Sequence, residues 1–213
     1  MTGYASNTGT RRNLEALSCA SWRILLTPDN PKPRSGLHYA IDNGAWKAFQ
    51  QQQPFDEYPF LRLIERSGEN ADFVVIPDIV AGGVKSLEFS QSWIPRLTGL
   101  KSLLFPVQDG MNKALVANAL REDERIGIFL GGSTIWKLET MYQWGELAYE
   151  MGRHYHVGRV NTARRIRLAE ESGADSFDGT SATMFSKTLP LLESARRNRS
   201  LLQPSTFSRR CYL

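Results

Sequence analysis

A chain of 213 residues, 41% hydrophobic and 10% aromatic, is long enough to bury one sizeable core and stands near the lower size limit for a complete (β/α)8 barrel. Its 26 lysines and arginines against 22 aspartates and glutamates leave a formal charge of +4, compatible with a polyanionic partner without demanding one. Cys19 and Cys211 are too few for a disulfide framework or a four-ligand zinc site, and neither a leader-like start nor a long apolar run is present, so a reduced, cytoplasmic, non-membrane setting is expected.

Short runs rich in β-branched and aromatic residues alternate with stretches of helical periodicity, the pattern of βαβ units around a parallel sheet. The runs predict strands at residues 3–6, 23–27 (RILLT), 38–42 (HYAID), 72–77 (DFVVIP), 102–107 (SLLFPV), 127–130 (GIFL), 155–158 (YHVG) and 175–178 (DSFD). Between them, Leu14 with Leu17, Phe60 with Leu61 and Ile64, Leu115 with Val116 and Leu120, and Ala163 with Ile166, Leu168 and Ala169 each share a helical face. The segment PDNPKPRSG at 28–36 is Pro-rich and predicts an irregular connection after the second strand, as a lid or a plain link. Eight strands imply a closed (β/α)8 TIM barrel over residues 1–195, followed by a basic C-terminal extension at 196–213.

In such a barrel, polar residues just past the strand C-termini meet at one face although they are far apart in sequence. Here those positions read Asp42-Asn43-Gly44, Pro77-Asp78, Gln108-Asp109-Gly110, Gly131-Gly132-Ser133, Gly158-Arg159 and Asp178-Gly179-Thr180. Any one of these is also an ordinary turn or a helix cap. Six consecutive strand ends mixing acids, an amide and glycines are better explained by a catalytic mouth.

The ordered pieces Asp42-Asn-Gly-Ala-Trp46, Ile76-Pro-Asp78, Phe105-Pro-Val-Gln108-Asp-Gly, Leu130-Gly-Gly-Ser, His156-Val-Gly-Arg159 and Gly173-Ala-Asp-Ser-Phe-Asp178 together resemble the tRNA-guanine transglycosylase superfamily. The resemblance implies that Asp178 attacks the anomeric carbon, a base departs, and an incoming deazaguanine base resolves the covalent intermediate. It places Asp42 as the acid/base carboxyl, Asp78 and Gln108 at the base edge, and Gly131 and Gly132 as a backbone platform. The two-carboxylate logic is that of glycoside cleavage, and a base must leave its stack to reach such a pocket. The zinc module of the tRNA enzymes has no counterpart, so the expected partner is DNA rather than tRNA, with a free deazaguanine base as a second ligand. Some DNA-acting relatives in the superfamily serve in conflict between phages and bacteria, and a defence role follows from that expectation.

Two basic segments start helices, where backbone N–H groups favour anions. Arg159 and Asn161 after the seventh strand and Arg11 after the first are therefore candidate phosphate contacts, although Thr10 and Asn161 also suit plain N-caps and Arg164, Arg165 and Arg167 a solvated face. Trp46, next to Asp42, is the candidate stacking surface; Trp93, Trp136 and Trp144 fall in helical stretches and suit packing. His154 and His156 share a strand face without a third ligand at suitable spacing, so neither a metal nor another cofactor is expected. A barrel enzyme for a small phosphorylated metabolite is the competing reading, with the Gly158-Arg159 segment holding phosphate.

Overall fold

The computed structural model describes residues 1–184 and 187–197. Eight parallel strands close on themselves in sequence order: β1 (Thr2–Ser6), β2 (Arg23–Leu26), β3 (Tyr39–Ile41), β4 (Val74–Val75), β5 (Leu103–Val107), β6 (Ile126–Leu130), β7 (Tyr155–Val157) and β8 (Ser176–Gly179). β8 pairs with β1 to seal the barrel, with Tyr4 opposite Asp178. All eight predicted strands are present, with ends displaced by a few residues. At β4 the ladder bonds run past the two residues counted as strand, because the N–H groups of Asp72 and Ile76 donate to Tyr39 and Leu104.

The helices are α1 (Arg11–Cys19), α2 (Ala45–Gln50), α3 (Glu57–Ser67), α4 (Val84–Trp93), α5 (Lys113–Glu122), α6 (Thr134–Glu150), α7 (Ala163–Glu171), α8 (Ser181–Met184) and α9 (Thr188–Arg197). No helix separates β2 from β3, as the prolines of that segment predict. That loop is a latched connection: the Asn7 amide donates to the carbonyls of Asn30 and Lys32, and Arg34 donates back to Asn7.

Side-chain alternation sorts the core into two layers. Leu17, Phe60, Leu63, Val116, Leu120, Ile166 and Ala169 from the helices pack on outward strand residues such as Ile24, Leu26, Ile41 and Leu103. Trp93 and Trp144 are buried in this layer, so the packing reading of those two rings is correct. Leu115, expected on the buried face of its helix, is exposed, and Val116 and Leu120 carry that face. Inside the barrel lie Tyr4, Leu25, Ala40, Phe73, Val75 and Leu104.

Helix α9 runs across the expected boundary at 195/196. Arg196 and Arg197 belong to α9; Arg196 ties that helix to the barrel through the carbonyls of Met1 and Ala20, and pairs with Glu193 within the helix. The rest of the expected extension, 198–213, lies outside the described residues.

Candidate active site

The C-terminal strand ends enclose a cavity of about 340 Å3, at the small end of ligand pockets and suited to one flat ring with part of what it is attached to. Asp42, Asp78, Gln108, Gly131, Gly132 and Arg159 all line it, and Trp46, Phe49, Pro106 and Phe129 supply apolar wall. Asp178 is not part of that lining. It stands on β8, 8% exposed, beside the cavity rather than in it.

Taking carboxyls out of water disfavours their charged form. Burial, followed by the negative charge of Asp178, raises the Asp42 carboxyl to about 7; the N–H of Gly44 at 3.4 Å opposes this only in part. Burial also raises Asp78, to about 6, with the hydrogen bond from Asn43 and the charge of Arg159 holding it lower than burial alone would. Two carboxyl groups thus exchange protons near neutrality inside one cavity. Asp109 behaves differently: burial is outweighed by bonds from the Ser133 hydroxyl (2.7 Å) and N–H (2.6 Å), which keep it below the usual carboxylate range. Asp109 also lines the cavity, and it anchors the turn that starts α6 by holding Ser133, the N-cap of that helix.

The base-edge candidates are held by a network that sequence reasoning missed. Asn43, buried, donates to the Ile76 carbonyl at 2.8 Å and to Asp78 at 2.9 Å, while accepting from the Ala45 N–H at 2.8 Å. The Gln108 amide nitrogen donates to Ser86 at 2.8 Å, Ile79 at 3.0 Å and Asp78 at 3.3 Å. Its donor is therefore already engaged, most closely by Ser86 and the Ile79 carbonyl, with Asp78 the most distant partner. The Asn in Asp42-Asn43-Gly44 was a visible signal, since a short amide next to a strand-end acid is suited to bridging loops.

Arg159 takes a left-handed backbone, φ +57°, uncommon for a residue with a side chain. Its N–H donates to Asp178 at 3.2 Å, its guanidinium donates to the Gly132 carbonyl, and it lies 4.1 Å over the Trp46 ring. The guanidinium is thus part of the cavity wall, and it covers the ring that the sequence offers for stacking. Lys137 on α6 is buried beneath, donating to the Gly158 carbonyl; burial and then the charge of Arg159 lower it to about 8.

Asp178 meets His156, whose Nε2 is 3.0 Å from its Oδ2. The pair of histidines noted in the sequence is joined through Ser176: its Oγ is 2.8 Å from His156 Nδ1 and 2.7 Å from His154 Nε2. Alternation put both rings on one face, but only the barrel closure shows that Ser176 and Asp178 share it.

Two phosphate candidates lie away from the cavity. Asn161 Oδ1 accepts from the Ser181 N–H at 3.1 Å and braces the loop after β8, while Thr162 caps α7. Arg11 pairs with Glu15 at 2.8 Å on an exposed helix face, a contact worth about 0.3–0.5 kcal/mol that leaves it free to exchange partners. Among the described residues, no group of three His, Cys, Asp or Glu side chains could hold a metal ion, and no helix is long and apolar enough to cross a membrane. No protein-family model matches the chain, and no curated protein matches it.

Proposed function

We propose that this chain is an enzyme that cleaves the N-glycosidic bond between a base and its sugar in nucleic acid, with DNA favoured over tRNA. Asp178 attacks the anomeric carbon and the bond to the base breaks. Asp42, able to carry a proton near neutrality, gives it to the departing base and takes one from the incoming group. Asp78, steadied by Asn43 and Gln108, meets the base edge, and Gly131 and Gly132 let the backbone approach its face. Water resolving the covalent sugar on Asp178 makes the reaction hydrolysis; a free deazaguanine base resolving it makes the reaction exchange. The hydrolytic outcome on a modified base suits antiviral defence, because an abasic site damages a modified genome and spares unmodified host DNA.

The observation that carries this reading is the pairing of Asp42, raised to about 7, with the Asp178 charge that helps raise it, beside a cavity sized for one base. A proton-bearing carboxyl next to a charged one is what two-carboxylate glycosyl transfer requires. The resemblance of the strand-end motifs to the tRNA-guanine transglycosylase superfamily points the same way.

Mass spectrometry of bases released from, or incorporated into, normal and modified DNA and tRNA tests the reading, with EDTA present. Asp178→Asn keeps the side-chain shape without the charge and is expected to lower turnover by orders of magnitude while binding survives. Asp42→Asn should slow turnover and let a sugar adduct on Asp178 accumulate as added mass on the intact protein. Near-normal turnover in Asp178→Asn overturns the assignment. Activity on small phosphorylated compounds with no need of polymer transfers the site to metabolite chemistry.

A further inference from the structure

The barrel interior beneath the mouth is apolar along Leu25, Ala40, Phe73, Val75 and Leu104, with the Arg23–Asp72 pair below it, and polar between β7 and β8, where His154, His156, Ser176 and Asp178 are joined in one line of hydrogen bonds. The sense of donation along that line follows from what each atom can do. An ionised Asp178 only accepts, so the 3.0 Å contact requires a proton on His156 Nε2. A neutral imidazole protonated there has a bare Nδ1, which must accept from the Ser176 hydroxyl at 2.8 Å. With its own proton committed, Ser176 Oγ accepts from His154 Nε2 at 2.7 Å. With a single proton on the His156 ring, every donor in the line therefore points toward Asp178.

The surroundings keep the centre of the line, His156 and Ser176, out of water. His156 is fully buried; Phe129 stacks on its ring at 5.0 Å and 13°, and Tyr4 and Phe73 hold it at 5.9 Å and 5.1 Å. Burial, the largest influence, lowers His154 to about 4, so it carries no charge near neutrality. The nearby cations are committed elsewhere: Lys137 donates to Gly158 and the Arg159 guanidinium to Gly132. Phe129 lines the cavity and His156 does not, which makes His156 a positioning residue and not one that touches substrate.

We propose that His154, Ser176 and His156 form a one-way hydrogen-bond chain that presents the His156 Nε2–H to Asp178, fixing the direction of its carboxylate without neutralising its charge. The inference rests on the reading of Asp178 as nucleophile. A lysine or arginine partner would orient the group equally well but would offset the negative charge that an oxocarbenium-like centre needs. A neutral donor orients it and leaves the charge in place. In the low-dielectric barrel interior such a chain is stronger than its links would be in water.

Nitrogen NMR of the whole protein labelled at histidine tests the chain directly, and turnover of variants tests its use. Both His154 and His156 are expected as Nε2–H tautomers, and Ser176→Ala should release His156 into a tautomer mixture. His156→Phe is expected to lower kcat at least about tenfold with KM changed less than about twofold, the signature of an interaction made in the transition state. His156→Gln, which keeps an N–H donor where Nε2 stood, should recover most of the loss. A Nδ1–H tautomer at His156, or His156→Phe turning over like the parent while Asp178→Asn is dead, overturns the proposal. Should Asp178→Asn stay active, the nucleophile assignment fails and the tautomers alone decide whether the chain exists. If His156→Phe does not fold, His156→Gln and the parent spectrum give the answer.

Discussion

In its proposed role, Asp42 has its carboxyl raised by the same burial that makes its charged form weaken the fold. Its carboxyl ordinarily loses its proton near 3.8 and here does so near 7, chiefly through burial and secondly through the charge of Asp178. Because the folded state binds the proton more tightly than the unfolded chain, the stability it contributes is full below about 3.8. It is lost as pH rises through about 7. Asp42→Asn removes that dependence, so its melting temperature relative to the parent should climb between about pH 4 and pH 7 and level off above, by about 2–4 °C for each kcal/mol relieved. Turnover should fall in the same variant. A melting difference that stays flat with pH means that Asp42 ionises at its ordinary value. Asp42 and Asp78 were legible as strand-end acids and Asn43 as an amide beside them, whereas the partners of Asn43 and His156 were not, because they stand 35 and 22 positions away.

At the scale of elements, the turn between β6 and α6 separates two glycines that look equivalent in sequence. Gly132 has φ +73°, and an added Cβ would stand 2.6 Å from Asp109 and 2.7 Å from Trp136, so the fold itself requires glycine there. At Gly131 an added Cβ meets nothing nearer than the Val107 carbonyl at 3.4 Å, so the protein tolerates a methyl at a position that lines the cavity. Gly132→Ala should therefore destabilise the chain by about 1–3 kcal/mol, read as a lower denaturation midpoint. Gly131→Ala should stay within about 0.5 kcal/mol of the parent in stability and lose affinity for the base. Equal losses of stability in both variants would remove Gly131 from the proposed platform. The alternation of runs exposed this barrel, including the missing helix after β2, because prolines and β-branched residues act locally. Strand ends were less legible because the ladder, not the side chain, decides where pairing stops.

At the scale of the whole molecule, barrel closure gathers Asp42, Asp78, Gln108, Gly131, Gly132 and Arg159 around one cavity and leaves Arg11 and Asn161 outside it. A net charge of +4 is too small to bind nucleic acid by a uniform field, so the placement of individual cations matters. Arg159 is the cation set into the cavity wall, where a phosphate of an extruded nucleotide could replace its bond to Gly132 or share the guanidinium. If it does, Arg159→Ala should weaken binding to DNA of any sequence and reduce the slope of log affinity against log salt by about 0.9 on duplex or about 0.7 on single strands, the value of one phosphate contact. Arg11→Ala, from a solvated ion pair, should change that slope less. The titration belongs beside a thermal melt, because Arg159 also buttresses Trp46 and Gly132. An unchanged slope together with a lower melting temperature would give Arg159 to the wall of the cavity and leave the phosphate to another residue.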